Sequence, residues 1–471
     1  MSEEHELLPG RLSKRAARAV RPSLSYFKAF LDAQKRQWSP EDPEGNIILS
    51  VAENRLTSDL VQERLSASAA DFPQDALCYQ NMRGITELRS ALARLLEATF
   101  MKGIPVDPEH LAVSAGAGAV LDNVFHCIAG PGDAVLIPAP YYPAFDNDLE
   151  VKAAVQPVPF WLDEDRPIGP QLDAAAETAA NYQLSTAATA NVSANGNGHA
   201  AAADGAPPRR RRVCGLLIAT PNNPLGIVYK RETVLGMLRW CLSHEVHLIS
   251  DEIYGNSVWG EAAPPFVSTE VLARQEAAAL PHADRLTDLL HVVWGLSKDF
   301  CGSGLRVGCL HTRNTQLLTA FDNLGYFCAV PNTLQWSLAR ALSDEAWVAS
   351  FIAENTRRMR AAYAGLEAAL VSAGIPHVKA DSAMFCWIDL RHWLTEPTWE
   401  GEAALWERMC KEAHVLLTPG QQCHGPEPGF FRVCWAWVPA PALPVAVGRL
   451  AERFGEGKGK GKGEGPEEEQ G

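Results

Sequence analysis

A chain of 471 residues, 47% of them hydrophobic, can bury a large core and has room for more than one domain. Its 42 basic residues against 56 acidic ones leave a net charge of −14, which argues against a nucleic-acid partner, because phosphate backbones need clustered cations. No apolar stretch approaches the ~20 residues of a membrane helix, so no membrane role is expected.

Residues 1–45 are polar and read as an N-terminal arm. They begin acidic and lack the apolar centre of a signal peptide. From residue 84, "GITELRSALARLLEATF" sets Ile85, Leu88, Leu92, Leu95 and Leu96 at helical spacing, so one face is buried. "LAVSAGAGAVLDNVFHCIAGPGDAVLIPAPYYPAF" then reads strand, glycine loop, helix, tight turn, strand. Between 174 and 212, Ala, Asn, Gly and Ser take over after Tyr182, and a disordered insertion of about 178–212 is expected. The basic run Arg209 to Arg212 closes it and reads as a solvated loop.

Strand–helix alternation resumes with "VCGLLIAT", "KRETVLGMLRWCLSHE", "VHLISDEIY" and "LHVVWGLS". Short apolar strands alternating with helices predict an α/β fold with a mainly parallel sheet covered on both faces. The expected large domain spans 81–334. Helical segments and a strand pair, "SAMFCWIDL" and "GFFRVCWAW", predict a smaller α+β domain from 46–80 and 335–454. The low-complexity tail 455–471 is expected to be disordered. Eleven cysteines without a C-x-x-C pair predict reduced, buried thiols, no metal site and a cytoplasmic protein.

In open parallel sheets, ligands collect beyond the carboxyl ends of the strands. "SAGAGAV" follows one strand and opens a helix, where free N–H groups beside Gly116 and Gly118 suit a phosphate. Asp251 ends a second strand, Asn223 follows a third in "ATPNNPLG", and Lys298 follows a fourth, with Arg306 eight positions later. Taken singly, each has an ordinary explanation as a turn residue, a helix cap or a surface cation. Together they supply a phosphate nest, an acid, an amide, an amine and a guanidinium. That inventory fits pyridoxal 5'-phosphate: the lysine forms the Schiff base, the aspartate keeps the ring nitrogen protonated, and the arginine faces the phosphate.

The motifs "SVAENRL", "PGDAVLIPAPYYPAF", "PNNPLG", "SDEIY", "LSKDFCGSGLRVG" and "FRVCWAW" occur in an order that resembles the class I/II aminotransferases of fold type I. More narrowly, they resemble the 1-aminocyclopropane-1-carboxylate (ACC) synthases and their relatives. The resemblance implies a large seven-stranded sheet domain with a smaller domain, and a homodimer with active sites at the subunit interface. It also implies that Lys298 holds the cofactor and moves the substrate's α-proton. By the same resemblance Asp251 pairs with the pyridine nitrogen, Asn223 and Tyr254 bind the ring's phenolic oxygen, and Tyr142 stacks on the ring. Ala117, Gly118, Ser297 and Arg306 would take the phosphate. Arg432 would grip the substrate α-carboxylate, and Glu53 the amino group of S-adenosylmethionine.

Two positions depart from that family. In "YQNMRG", Met82 stands where the plant synthases place a tyrosine that reaches the neighbouring subunit's cofactor, with Tyr79 three residues earlier. A methionine cannot donate a hydrogen bond. Gly295 stands where the family commonly has a phosphate-binding serine. Amino transfer to a 2-oxo acid needs only the residues present and is the leading expectation. The alternatives are ACC synthesis from S-adenosylmethionine, a related C–S lyase reaction, or a binding protein that has kept the fold without turnover.

Overall fold

The computed structural model describes Leu12, residues 16–20, Leu24, and residues 26–68, 72–181, 211–261 and 266–455. In chain order the strands are β1 (Ile47–Ile48), β2 (Leu111–Ser114), β3 (Ala134–Ala139), β4 (Gln156–Trp161), β5 (Val213–Ala219) and β6 (His247–Asp251). They continue with β7 (Leu290–Gly295), β8 (Gly308–Thr312), β9 (Phe385–Asp389), β10 (Val415–Leu416), β11 (Thr418–Pro419) and β12 (Phe430–Cys434).

Seven of them form one sheet in the order β2-β8-β7-β6-β5-β3-β4. Strands β4, β3, β5, β6 and β7 run parallel to one another, and β8 is antiparallel to β7 and β2. Continuous apolar runs explain this burial, because alternate residues serve opposite faces. Ile137, Leu217, Ile249 and Val293 pack with Val120, Leu121 and Phe125 of helix Ala117–Ile128. Their neighbours Leu136, Leu216, Leu248 and Leu290 pack on the other side with Leu172, Met237 and Leu238. Helices therefore cover both faces, as the alternation of elements predicts.

Helix Thr86–Ala98 buries Leu88, Leu92, Leu95 and Leu96, the face expected from their spacing. That face shares a core with Val113, Trp294, Leu338 and Phe351, so packing runs continuously across residue 335. A second, smaller sheet has the antiparallel order β11-β12-β9, with Phe431 opposite Ile388, and β1 pairs with β10 beside it. Helices Glu345–Ser372 and Ala442–Phe454 contribute Leu366, Leu370, Leu443 and Val447 to its core. The arm is not featureless: helix Phe27–Ala33 sets Phe30 edge-on to Trp437, with ring centroids 6.4 Å apart.

Helix Ile168–Asn181 continues through 178–181, four residues into the segment expected to be disordered, because Ile168, Leu172, Ala175 and Ala179 keep one face buried. The stretch 182–210 of that expected insertion lies outside the described residues, as do residues 456–471 of the expected tail.

Candidate active site

Parallel strands deliver their ends to one side of a sheet, and here they build one cavity of about 200 Å³. Ala117 and Gly118 enter it from the helix after β2, Tyr142 from the loop after β3, and Asn223 from the turn after β5. Asp251, the last residue of β6, and Tyr254 line it as well. Ser297 and Lys298 come from the short helix Leu296–Asp299 after β7, and Arg306 from the turn before β8. Nine of the eleven site residues expected from the sequence thus line a single cavity.

The electrostatics of this cavity favour an uncharged amine. Burial pushes the Lys298 ammonium below its ordinary range, opposed by Cys434, Glu53 and Asp251 nearby. Its Nζ donates to the backbone carbonyl of Ala52. Burial also lifts the Asp251 carboxyl to about 7, although the Ile253 N–H donates to its Oδ1 at 3.2 Å. A buried carboxyl held by one backbone donor has capacity left for a cationic N–H partner. Burial holds the phenols of Tyr142 and Tyr254 in their neutral, hydrogen-bonding form.

At the other end of the cavity, Gly116 takes a left-handed backbone (φ 93°) and opens helix Ala117–Ile128. A Cβ at Gly116 would collide with the Arg306 guanidinium, so only glycine lets that side chain lie across the helix start. Arg306 Nη1 donates to the Ser303 carbonyl at 3.0 Å and Nη2 to that of Ala115 at 3.3 Å. Free N–H groups, a helix start and a guanidinium converge there, which is the composition of a phosphate cradle.

Gly295 is explained by space. A Cβ there would stand 2.7 Å from the Val307 carbonyl oxygen and 3.1 Å from the Gly308 Cα, both backbone atoms. A serine cannot enter without moving β8. Gly295→Ser is therefore expected to destabilise the protein by about 1–3 kcal/mol, as overpacking does, and to leave cofactor affinity no better. Thermal melts and cofactor titration check both halves.

Arg432 and Glu53 stand just behind the cavity wall. Arg432, 1% exposed, donates from Nη1 to Asn223 Oδ1 at 2.9 Å. Its Nη2 donates to the Ser50 carbonyl at 2.9 Å and Thr418 Oγ1 at 3.0 Å, while the buried Nε has no hydrogen-bond partner among the described residues. Glu53 accepts from Ser303 Oγ and lies 3.7 Å from Arg55 Nε, whose guanidinium sits 3.2 Å over the Trp437 ring.

Four further residues support the site. Asp299 accepts from Ser257 Oγ (2.6 Å), Trp294 Nε1 (2.8 Å) and the Asn256 N–H (2.9 Å), which ties down the short helix carrying Lys298. Ser303 anchors Glu53, Tyr26 of the arm is buried within hydrogen-bonding reach of Thr418 and Arg432, and Asp148 lines the cavity beside Gly118. Asp299 had a local signal, an acid directly after the lysine; the others had none. Tyr79 and Met82 lie away from the cavity. They line a separate one with Tyr326, and Tyr79 is 85% exposed.

The family model described as "Aminotransferase class I and II" matches residues 46–450. The chain is 34% identical over 434 residues to the 1-aminocyclopropane-1-carboxylate synthase 4 of Oryza sativa subsp. japonica, covering 87% of this chain and 82% of that protein. It is 31% identical over 428 residues to a 1-aminocyclopropane-1-carboxylate synthase of Nicotiana tabacum, covering 88% and 80%. Among solved structures, an aspartate aminotransferase from Thermus thermophilus with maleate matches with a TM-score of 0.69 at 22% identity, over 94% of this chain and 99% of that one. An aminotransferase from Mycobacterium tuberculosis matches with a TM-score of 0.70 at 22% identity over the same shares.

Proposed function

Because the chain belongs to the class I and II aminotransferase family, a pyridoxal-phosphate-dependent group, we propose that it is an aminotransferase carrying the amino group of an α-amino acid to a 2-oxo acid. The supporting observation is Lys298, a buried amine held towards neutrality in one cavity with Asp251 and the phosphate cradle, with Arg432 behind the wall. Pyridoxal phosphate, when bound, accepts the electron pair left on the substrate's Cα as its proton departs.

Each side chain then has a task. Lys298 Nζ holds the cofactor and afterwards takes and returns the α-proton. Asp251 would keep the ring nitrogen protonated, Asn223 and Tyr254 would bind the phenolic oxygen, and Tyr142 would flank the ring. The N–H groups of Ala117 and Gly118, Ser297 Oγ and the Arg306 guanidinium hold the phosphate. Arg432 presents a fork to the α-carboxylate, a geometry that lysine lacks.

ACC synthesis from S-adenosylmethionine is the second reading. The plant relatives and the position of Glu53 near Lys298 favour it, and Met82 counts against it. Incubating the protein with a panel of amino acids plus 2-oxoglutarate, and separately with S-adenosylmethionine, distinguishes them. Keto-acid formation supports the first reading and release of methylthioadenosine the second; silence in both arms rejects both.

We also propose a homodimer. Leu77, Tyr79, Tyr326 and Phe327 are 71%, 85%, 59% and 83% exposed, an apolar face that a second copy would cover. A cytoplasmic location fits eleven free cysteines, and no helix among the described residues is long and apolar enough to cross a membrane.

A further inference from the structure

We propose that Asp148 carries a proton against the cofactor's phosphate and donates the side-chain hydrogen bond that Gly118 and Gly295, which have no side chain, leave unmade. The inference rests on the functional reading above and assigns a positioning residue for the cofactor. Asp148 sits on helix Phe145–Glu150, just beyond Tyr142, and its Oδ1 lies 3.5 Å from where a Cβ on Gly118 would stand. It therefore stands in contact distance of where a side chain on the second residue of the cradle helix would begin. With Gly118, it lines both the active-site cavity and an outer cavity of about 550 Å³ that is also lined by Asp122 and His126.

Its surroundings decide its protonation. Burial is the largest influence and pushes the Asp148 carboxyl upward. Asp122, on the cradle helix and itself paired with Lys152 at 2.6 Å, and Asp146, paired with His424 at 2.7 Å, push the same way. Arg306 opposes them from the turn before β8, while Asp251 and Tyr142 stand on the ring side. The free protein already holds this group at about 7. A phosphate dianion placed beside Arg306 raises it further, because like charges disfavour ionisation. A neutral carboxyl then has an O–H to give and the phosphate oxygens accept it. The sign follows from linkage: the bound state holds one more proton than the free one, so affinity falls as pH rises above about 7.

The test compares dissociation constants for pyridoxal phosphate and for pyridoxal, measured by absorbance and fluorescence between about pH 6.5 and 8.5, a range that brackets the carboxyl's titration. Pyridoxal lacks the phosphate but shares the chemistry at Lys298, so the ratio of the two constants isolates the phosphate end. In the unaltered protein this ratio should shift by about tenfold across the range, the size of one hydrogen bond to a charged group. Asp148→Asn keeps a donor without a titrating proton and should flatten the shift to less than about twofold. Asp148→Ala should weaken pyridoxal phosphate about tenfold or more at the acidic end of the range and leave pyridoxal unchanged. An Asn variant with the full pH dependence, or an Ala variant with unaltered affinity, overturns the proposal. If the unaltered protein binds neither compound, the functional reading itself falls; binding of both with no effect at Asp148 removes only this inference.

Discussion

Lys298→Ala is expected to lower turnover of any amino-acid substrate by at least about 10⁴-fold, because it removes both the nucleophile that holds the cofactor and the base that moves the α-proton. The same change should scarcely alter stability. The side chain lies in a cavity that already exists, and its buried amine makes one hydrogen bond, to the Ala52 carbonyl. Removing a desolvated amine offsets the loss of that bond. The short helix itself is held elsewhere, by the three donors on Asp299. Circular dichroism and a thermal melt should match the unaltered protein while both product assays go silent. A melt that collapses would mean that Lys298 is structural; full activity would end the assignment.

Asp251→Asn should lower kcat by about 10³-fold while pyridoxal phosphate still binds. Asparagine keeps the shape of the side chain and can accept from the Ile253 N–H through its own Oδ1. What it lacks is the negative charge that holds a proton on the ring nitrogen, an electrostatic contribution of the kind that dominates many active sites. Burial opposes that charge in the free protein, lifting the carboxyl to about 7, so the neutral variant should be at least as stable. The expected pattern is an unchanged or raised Tm, retained cofactor, and a loss confined mainly to kcat. Loss of binding and stability together would show that Asp251 is part of the scaffold instead.

The fold was legible in the sequence wherever a signal is local. Runs such as "VCGLLIAT" and "LHVVWGLS" lie in strands buried on both faces, and the glycine-rich turns fall where strands hand over to helices. Residues at strand ends, Asp251 and Lys298 among them, could be placed because topology brings all such ends to one side. The chain positions of Asp148 and Ser303 carried no comparable mark. Ser303 meets Glu53 across 250 residues, and Asn223 meets Arg432 across 209, contacts that only the assembled lobes define. Arg432 reads in isolation as an exposed strand residue, yet two lobes close over its guanidinium. The opening of the chain misled in a similar way. A polar composition reads as a loose arm, whereas Tyr26 and Phe30 supply apolar anchors that seat it against Arg432 and Trp437.

The claim on which the rest depends is a covalent bond between pyridoxal phosphate and one particular amine. Purified protein loaded with pyridoxal phosphate, reduced with borohydride and digested for peptide mass spectrometry should carry the pyridoxyl group on Lys298, and the Lys298→Ala protein should carry none there. An adduct spread over surface lysines, or absent altogether from residue 298, would contradict the account.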